Sequence, residues 1–296
     1  MRKYRFRGLA VALALVSIVG AACASESSTT APTDTGTGVR TDDLLARIQD
    51  EGVIRVSTDP AYPPQSSLNE NDEWEGFDID VATEIATRLG VTVAWETPEW
   101  TAITSGGWSD RWDMSVGSMS VTSDRAEVLD FSPAYYFTPA SVAVHADNTS
   151  IVDITTDLDG KNVGACGGCT YDLFLQGTLE IPGYTFDFVV DDPSIKTYNT
   201  DTTVIQDLSL GDGVRLDAMV SALPTLEGAI DKGKPIKIVG DPLFFEPLAV
   251  AFDKSSQLDQ TRLVDEVTRI IEEMHADGTL TALSMKWYQA DLTRAV

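Results

Sequence analysis

The side chains with the clearest chemical potential in this sequence are one arginine and one pair of cysteines. Arg125 stands in Met119-Ser-Val-Thr-Ser-Asp-Arg-Ala126, and its planar, permanently charged guanidinium suits a carboxylate through two parallel hydrogen bonds. An isolated arginine in such a segment can equally form a surface ion pair with a neighbouring acid. Cys166 and Cys169 form a Cys-Gly-Gly-Cys turn, whose spacing allows a disulfide or a thiol redox site.

Composition and charge exclude several other kinds of site. The 296 residues contain two histidines, His145 and His275, which lie far apart and have no metal-ligand spacing to the cysteine pair. We therefore expect no metal site, no cofactor and no Ser/His/Asp chemistry. The 46 acidic and 21 basic residues give a net charge of −25, which disfavours nucleic acid and anionic membrane surfaces as partners because phosphate groups would be repelled.

The first 22 residues predict an export signal. A basic start is followed by an apolar run from Leu9 to Ala22, which is shorter than the roughly 20 apolar residues of a membrane-spanning helix. Gly20-Ala-Ala-Cys23 resembles the lipobox of bacterial lipoproteins, with Gly20 in place of the usual leucine. We predict a signal peptide at 1–22, a lipidated Cys23 with a flexible tether to residue 40, and a lipid-anchored, extracytoplasmic protein. An ordinary secretory signal with a chance cysteine is the alternative.

Helix and strand patterns alternate beyond residue 40. Thr41 is predicted to cap a helix that ends at Gly52 and precedes a strand at Val53–Val56. Further strands are predicted at 91–95, 161–165, 218–221 and 236–239, and further helices at 78–89, 171–179, 224–230 and 263–274. This alternation favours an α/β fold with mostly parallel sheets flanked by helices, in which ligands bind at the carboxyl ends of strands.

A series of motifs in chain order gives the sequence a family resemblance. The motifs are Gly52-Val-Ile-Arg-Val-Ser-Thr-Asp-Pro-Ala-Tyr-Pro-Pro64, Gly76-Phe-Asp-Ile-Asp-Val-Ala82, 119–126, Asp130-Phe-Ser-Pro-Ala-Tyr-Tyr136, Lys161-Asn-Val-Gly-Ala-Cys-Gly-Gly-Cys-Thr170, Leu216-Asp-Ala-Met-Val220, 277–280 and Lys286-Trp287. Together they resemble the polar-amino-acid class of extracellular solute-binding proteins of ABC importers. The resemblance implies the two-lobe periplasmic-binding-protein (Venus-flytrap) fold, with two crossover strands near 137–139 and 244–247. Lobe 1 would comprise 41–137 and 246–296, and lobe 2 would comprise 138–245.

The same resemblance implies ligand-binding roles for particular residues. It implies that Arg125 binds the carboxylate of the ligand and that Asp59 can contact a cationic side chain of the ligand. Further polar contacts with the ligand would come from Ser118, Ser120 and Thr170, and the aromatic walls of the binding cleft from Tyr62 and Trp100. Each residue also has a purely structural interpretation. The serines suit an ordinary turn, Thr170 can cap the helix that follows it, the two aromatic side chains can belong to the core, and Asp59 can cap its own turn.

Three positions depart from the family pattern. The family places an aspartate for the ligand ammonium five residues after the position of Asp217, which is Ala222 here, and Glu246 is the candidate replacement. Gln65 stands where an aromatic residue is usual, and Cys169 replaces a threonine. For the cysteine pair, export favours a disulfide that stiffens the ligand turn over a thiol redox site.

These observations predict a lipid-anchored substrate-binding protein of an ABC importer. It would be a monomer that captures a small polar, carboxylate-bearing solute, an amino acid or a derivative, between two lobes. It would then deliver the solute to a membrane permease and its ATPase subunits, without catalysis. One alternative is a ligand-sensing receptor module, although the sequence shows no pattern of a second transmembrane helix or output domain. Another is a lyase or glycosidase on the same scaffold, with Glu246 or Asp59 as its acid or base.

Overall fold

The structure is a computed structural model that describes residues 42–295. The predicted signal peptide at 1–22, the lipidated Cys23, the tether to residue 40 and the Thr41 cap lie outside the described residues. The helices are α1 (Leu44–Glu51), α2 (Phe77–Leu89), α3 (Trp100–Thr104), α4 (Ser123–Val128), α5 (Thr170–Leu175), α6 (Asp201–Leu208), α7 (Leu223–Asp231), α8 (Thr261–Ala276) and α9 (Thr279–Tyr288).

The strands between these helices make a large sheet and a small one. They are β1 (Val53–Ser57), β2 (Ala61–Tyr62), β3 (Ser66–Leu68), β4 (Trp74–Glu75), β5 (Thr92–Glu96), β6 (Met114–Ser120), β7 (Leu129–His145), β8 (Asn162–Cys166), β9 (Ser194–Tyr198), β10 (Ala218–Ala222) and β11 (Ile236–Asp253). Among the described residues the large sheet has the order β5-β1-β6-β11-β7-β10-β8-β9, and β2-β3-β4 form the small antiparallel sheet.

Parallel pairing dominates both ends of the large sheet. Strand β1 runs parallel to β5 and β6, and β8 runs parallel to β9 and β10, whereas β7 and β11 are antiparallel to their neighbours. The helices flank this curled, mostly parallel sheet. The predicted α/β class is therefore confirmed.

The two long central strands lie side by side where the crossovers are predicted. In the antiparallel register of β7 with β11, Phe137 pairs with Pro247, Thr138 with Glu246, and Pro139 with Phe245. Strand β11 continues far beyond the predicted end at residue 239 because β6 and β7 pair with its second half. The two segments predicted as crossovers thus lie next to each other in the middle of the sheet.

Buried apolar side chains form separate clusters on the two sides of these central segments. One cluster takes its members from 44–136 and 248–280, including the stripe of α8 that the helical spacing predicts. A second cluster draws on 140–244, and a third lies within 143–236. The parts of the molecule on either side of the central segments therefore have separate cores.

Some helices begin or end at other residues than the sequence predicts, because of local hydrogen bonds and backbone conformation. Asp43 caps α1, since its side chain accepts the backbone N–H of Ala46 at 3.1 Å. Cys169 is the N-cap residue of α5 and Thr170 is its first helical residue, so the cap interpretation of Thr170 is wrong. Helix α5 also stops at Leu175 instead of residue 179, because Gly177 follows in the left-handed conformation that ends helices.

Residues 42–295 contain no helix whose length and apolar character would let it cross a membrane.

Candidate functional site

A cavity of about 40 Å³ lies where the central segments meet the helix termini. All eight predicted ligand-binding side chains line it: Asp59, Tyr62, Trp100, Ser118, Ser120, Arg125, Thr170 and Glu246. Cys166 and Cys169 line it too, together with Gly117, Tyr171, Asn199 and Asp201. Positions distant in the sequence are therefore brought to one place by β6, α4, α5, α6 and β11.

Arg125 is held rigidly at one wall of this cavity. It lies in α4, which Thr122 caps, and it is 5% exposed. Its Nη1 donates to the carbonyl of Ser120 and its Nη2 to the carbonyl of Gly168, both at 3.0 Å. The guanidinium also lies 5.1 Å from the ring centre of Trp100. These carbonyls use two of the five N–H donors of the guanidinium, and its shape matches a carboxylate.

Arg125 keeps its positive charge although it is buried. Removal from water lowers the pKa of the guanidinium to about 10, and the nearby carboxyl of Glu246 acts in the opposite direction. Because this pKa is still well above neutral pH, the guanidinium stays protonated and can attract an anion in a poorly solvated place.

The carboxyl of Glu246 receives several of the hydroxyl groups at this wall. Glu246 lies in β11 and is 1% exposed, and its Oε2 accepts a hydrogen bond from Ser120 Oγ. Thr170 and Tyr171 also donate to this carboxyl. Burial raises the pKa of Glu246, while the three hydroxyls and Arg125 favour the charged form. The hydroxyls of Ser120 and Thr170, which the resemblance assigns to the ligand, are thus bonded to Glu246 in this structure.

The side chain of Ser118 is held in place by hydrogen bonds that involve a buried aspartate, Asp78. Its hydroxyl donates to Oδ2 of Asp78 at 2.7 Å, and the hydroxyl of Tyr135 donates to Oδ1 of Asp78 at 2.7 Å. The backbone N–H of Ser118 donates to Tyr135 Oη at 3.0 Å. Ser118 has a φ of 53°, which is unusual for a residue with a side chain, and these bonds stabilise it there.

The buried Asp78 leads to a prediction for stability against pH. Burial raises its pKa to about 7, so between about pH 4 and pH 7 the folded protein binds a proton that the unfolded chain has released. The free energy of unfolding should therefore fall as pH rises through this window, by about 1 kcal/mol per pH unit for such a group. Urea denaturation at several pH values should show that the free energy of unfolding of Asp78→Asn falls less steeply with rising pH than that of the wild type. An unchanged pH dependence would contradict this account of Asp78.

The aromatic residues and Asp59 complete the lining of the cavity. The hydroxyls of Tyr62 and Tyr171 lie 3.2 Å apart, and Trp100 Nε1 donates to the carbonyl of Gly168 at 3.4 Å. Asp59 Oδ1 accepts the backbone N–H of Ala61 at 2.7 Å, and burial raises its pKa. Asp59 therefore caps its turn and lines the cavity at the same time, so its two interpretations are compatible.

A comparison with known protein families decides the class of this chain. Residues 54–290 match the model of the bacterial extracellular solute-binding proteins, family 3. The chain belongs to this family. The predicted resemblance is thereby confirmed, and the extracellular character of the family agrees with the predicted extracytoplasmic location.

Individual relatives of this solute-binding protein are binding proteins as well. It is similar to the L-cystine-binding protein TcyJ of Escherichia coli, with 29% identity over 252 residues that cover 85% of this chain and 88% of the relative. An ancestral arginine-binding protein bound to glutamine has a TM-score of 0.68 and 29% identity, covering 81% of this chain and 99% of that chain. The ancestral amino acid-binding protein AncCDT-1, a precursor of cyclohexadienyl dehydratase, has a TM-score of 0.70 and 26% identity, covering 82% and 99%.

One acidic residue in the cavity of this solute-binding protein was missed by the sequence analysis. Asp201 is the first residue of α6 and is 4% exposed, and Ser221 Oγ donates to its Oδ1 at 2.5 Å. Burial raises the pKa of Asp201 to about 7, and the carboxyls of Asp59 and Glu246 act in the same direction. Helix α6 itself has a signal, because Thr200 caps it and Val204 follows at helical spacing. That signal does not tell that Asp201 faces the cavity.

The cysteine pair forms part of the same cavity wall. Cys166 and Cys169 are joined by a disulfide that encloses Gly167 and Gly168. The Gly168 carbonyl at the tip of this small ring accepts hydrogen bonds from both Arg125 and Trp100. Among residues 42–295, no group of His, Cys, Asp or Glu side chains is arranged to hold a metal ion.

Opening this ring is expected to weaken both stability and solute affinity in the solute-binding protein. The double variant Cys166→Ser/Cys169→Ser frees the turn that carries the Gly168 carbonyl, and closing so short a loop is worth about 2 kcal/mol. Urea denaturation should show a loss of this size, and calorimetric titration should show a several-fold weaker affinity. Equal stability and affinity in the double variant would contradict a stiffening role. Thiol titration of the denatured wild type without reductant checks the pairing itself.

Proposed function

We propose that this chain is a lipid-anchored substrate-binding protein of an ABC importer. It captures a small polar solute, an amino acid or a derivative with a carboxylate, and delivers it to a membrane permease driven by ATPase subunits. Cys23 carries the lipid and residues 24–40 form the tether. The protein works as a monomer, without a cofactor and without chemical change to its solute.

The observation that carries this proposal is the convergence of the predicted ligand residues. Eight side chains chosen from the sequence line one cavity, although they lie between positions 59 and 246. The cavity combines a buried arginine, an aromatic wall and several carboxyl and hydroxyl groups. This composition suits a small polar solute, since a few fixed polar groups orient the ligand while apolar surfaces exclude water.

The two-lobe arrangement is part of the proposal. Lobe 1 comprises 41–137 and 246–296, and lobe 2 comprises 138–245. Separate cores on the two sides of the central strands support this division. The bond from Arg125 to the Gly168 carbonyl would then join the lobes across the cavity. A solute favours closure only through its stronger binding to the closed form, so contacts from both lobes are needed.

The solute's carboxylate is assigned to Arg125. Charge-assisted hydrogen bonds to a guanidinium are the strong ones, and the site is poorly solvated. The names of the relatives add support, because one binds L-cystine and another was solved with glutamine. Both ligands are amino acids, which carry the carboxylate that this proposal requires.

Catalysis is a second function to be tested. Glu246, Asp59 and Asp201 are acids with raised pKa values in the cavity, and one structural relative is named as a precursor of a dehydratase. We propose binding without turnover, as in the relatives that are themselves binding proteins. Mass spectrometry should recover the bound solute unchanged after long incubation. A product would establish an enzyme.

A thermal-shift screen of the purified protein tests the proposal. The panel contains amino acids, their derivatives, organic acids and polyamines. A ligand at one hundred times its dissociation constant should add about 2.7 kcal/mol to the free energy of unfolding. No shift with any compound would contradict solute capture. For the anchor, Cys23→Ser should move the protein from the membrane fraction to the soluble fraction of the host, and retention on the membrane would contradict lipidation.

A further inference from the structure

The acids and bases at the cavity are unequal in number. Among the described residues that line it, Asp59, Asp201 and Glu246 are acidic and Arg125 is basic. Burying unpaired negative charge is costly, so a bound solute should bring positive charge to this place. The described acids are not arranged to hold a metal ion, so we consider an organic cation as the source of this positive charge.

Glu246 is poorly placed to receive that cation. Its carboxyl accepts hydrogen bonds from Ser120, Thr170 and Tyr171, and it lies in the field of the Arg125 guanidinium. Most of its capacity as an acceptor is therefore used, and a nearby positive charge repels an ammonium group.

Asp201 has the opposite surroundings. Within the described part of the chain, its carboxyl accepts one side-chain donor, Ser221 Oγ, and its own backbone N–H, while the negative charges of Asp59 and Glu246 disfavour its ionisation. Asp201 thus stands 4% exposed at the cavity, beside other acids, with acceptor capacity left on its carboxyl. An ammonium group would relieve the repulsion among these acids.

The position of Asp201 also fits the gap at the end of β10. Ala222, which stands where the resemblance expects an acid, is the last residue of β10 and is fully buried. The neighbouring residue Ser221 donates to Asp201 at 2.5 Å, so the carboxyl from α6 lies next to the end of that strand. Tyr62 and Tyr171 line the same cavity, and aromatic faces also attract cations.

We propose that Asp201, projecting from the start of α6, is the acid that receives the ammonium group of the solute. This assignment rests on the proposed solute-binding function and deepens it. The solute would then be an amine-bearing carboxylate that lies between Arg125 and Asp201. The acid missing at position 222 is thereby supplied from a different element of the fold.

Three pairs of probes that differ in the ammonium group test this assignment. They are L-arginine with 5-guanidinopentanoic acid, L-glutamine with glutaramic acid, and L-cystine with 3,3′-dithiodipropionic acid. In the wild type, each amino acid that binds should bind at least about 30-fold more tightly than its deaminated partner, as expected for a charged hydrogen bond. Calorimetric titration of the full chain measures both members of each pair.

Two aspartate variants on the same helix complete the design. In Asp201→Asn the discrimination between the members of a pair should fall below about 3-fold. In the control Asp207→Asn, which changes a carboxyl of α6 that bonds to Tyr198 and Arg215 and does not line the cavity, the discrimination should stay close to the wild-type value. Full discrimination in Asp201→Asn would overturn the assignment, and so would an equal loss of discrimination in both variants. Urea denaturation of both variants verifies that they are folded at the titration temperature.

The outcomes also separate this assignment from the proposed function. If a compound without an ammonium group is the best ligand of the thermal-shift screen and no amino acid binds, solute capture stands and the role of Asp201 is wrong. If no compound of either set binds, the proposed function itself has failed.

Discussion

Replacement of Arg125 by alanine is expected to lower the affinity for the best solute by at least about two orders of magnitude. Two charge-assisted hydrogen bonds of about 1.5–3 kcal/mol each would be lost from a buried carboxylate that then has no partner. The substitution also removes the bond to the Gly168 carbonyl, which we assign to closure. Calorimetric titration with the best ligand of the screen measures this loss.

Two variants make the Arg125 result specific. Arg125→Lys keeps the positive charge but loses the planar pair of donors, so its affinity should lie between those of the wild type and the alanine variant. Arg111 is a matched control, because its guanidinium also contacts a tryptophan ring, at 4.7 Å, but does not line the cavity. Arg111→Ala should leave the affinity unchanged. Wild-type affinity in Arg125→Ala would show that the arginine does not hold the solute.

Replacement of Gly76 by alanine is expected to lower the free energy of unfolding by about 3 kcal/mol or more. Gly76 has a φ of 137° and precedes α2, and an added Cβ would lie 2.2 Å from the carbonyl oxygen of Gln65. That carbonyl accepts the backbone N–H of Asp78 at 2.8 Å, so the start of α2 cannot move away without losing this bond. Urea denaturation gives the size of the loss.

Gly90 is the matched control for this substitution. It has a φ of 77° at the other end of α2, where an added Cβ would meet nothing within 4 Å. Gly90→Ala should therefore show only the cost of the left-handed backbone, about 1–2 kcal/mol. If both alanine variants lose the same amount, backbone crowding at Gly76 is not important. Helix α2 also contains Asp78, which accepts a hydrogen bond from the cavity residue Ser118. Gly76→Ala is therefore expected to weaken solute affinity as well.

Much of the fold followed from local sequence patterns. The helical spacing of Leu263, Val267 and Ile270 predicted the buried stripe of α8, and all three side chains are fully buried. Gly52 ends α1 as predicted, and α2 ends at Leu89 as predicted, with Gly90 next; both glycines are in the left-handed conformation. Such signals lie within a few residues of one another, so they can be recognised without knowing the rest of the structure.

The motif positions also located the candidate site, whereas its internal bonding did not follow from them. Ser120 and Thr170 line the cavity as expected, yet their hydroxyls bond to Glu246, which is distant from both in the sequence. Asp201 was missed because its approach to Ser221 depends on how α6 packs against β10. A sequence pattern names residue types in one element, but such contacts are fixed only when distant elements meet.

A crystal structure of the protein with the best solute of the screen would test the central claim most directly. We expect the solute inside the cavity, with its carboxylate within hydrogen-bonding distance of the Arg125 guanidinium and its ammonium group at the Asp201 carboxyl. A solute bound elsewhere, or one inside the cavity that contacts neither side chain, would contradict these assignments.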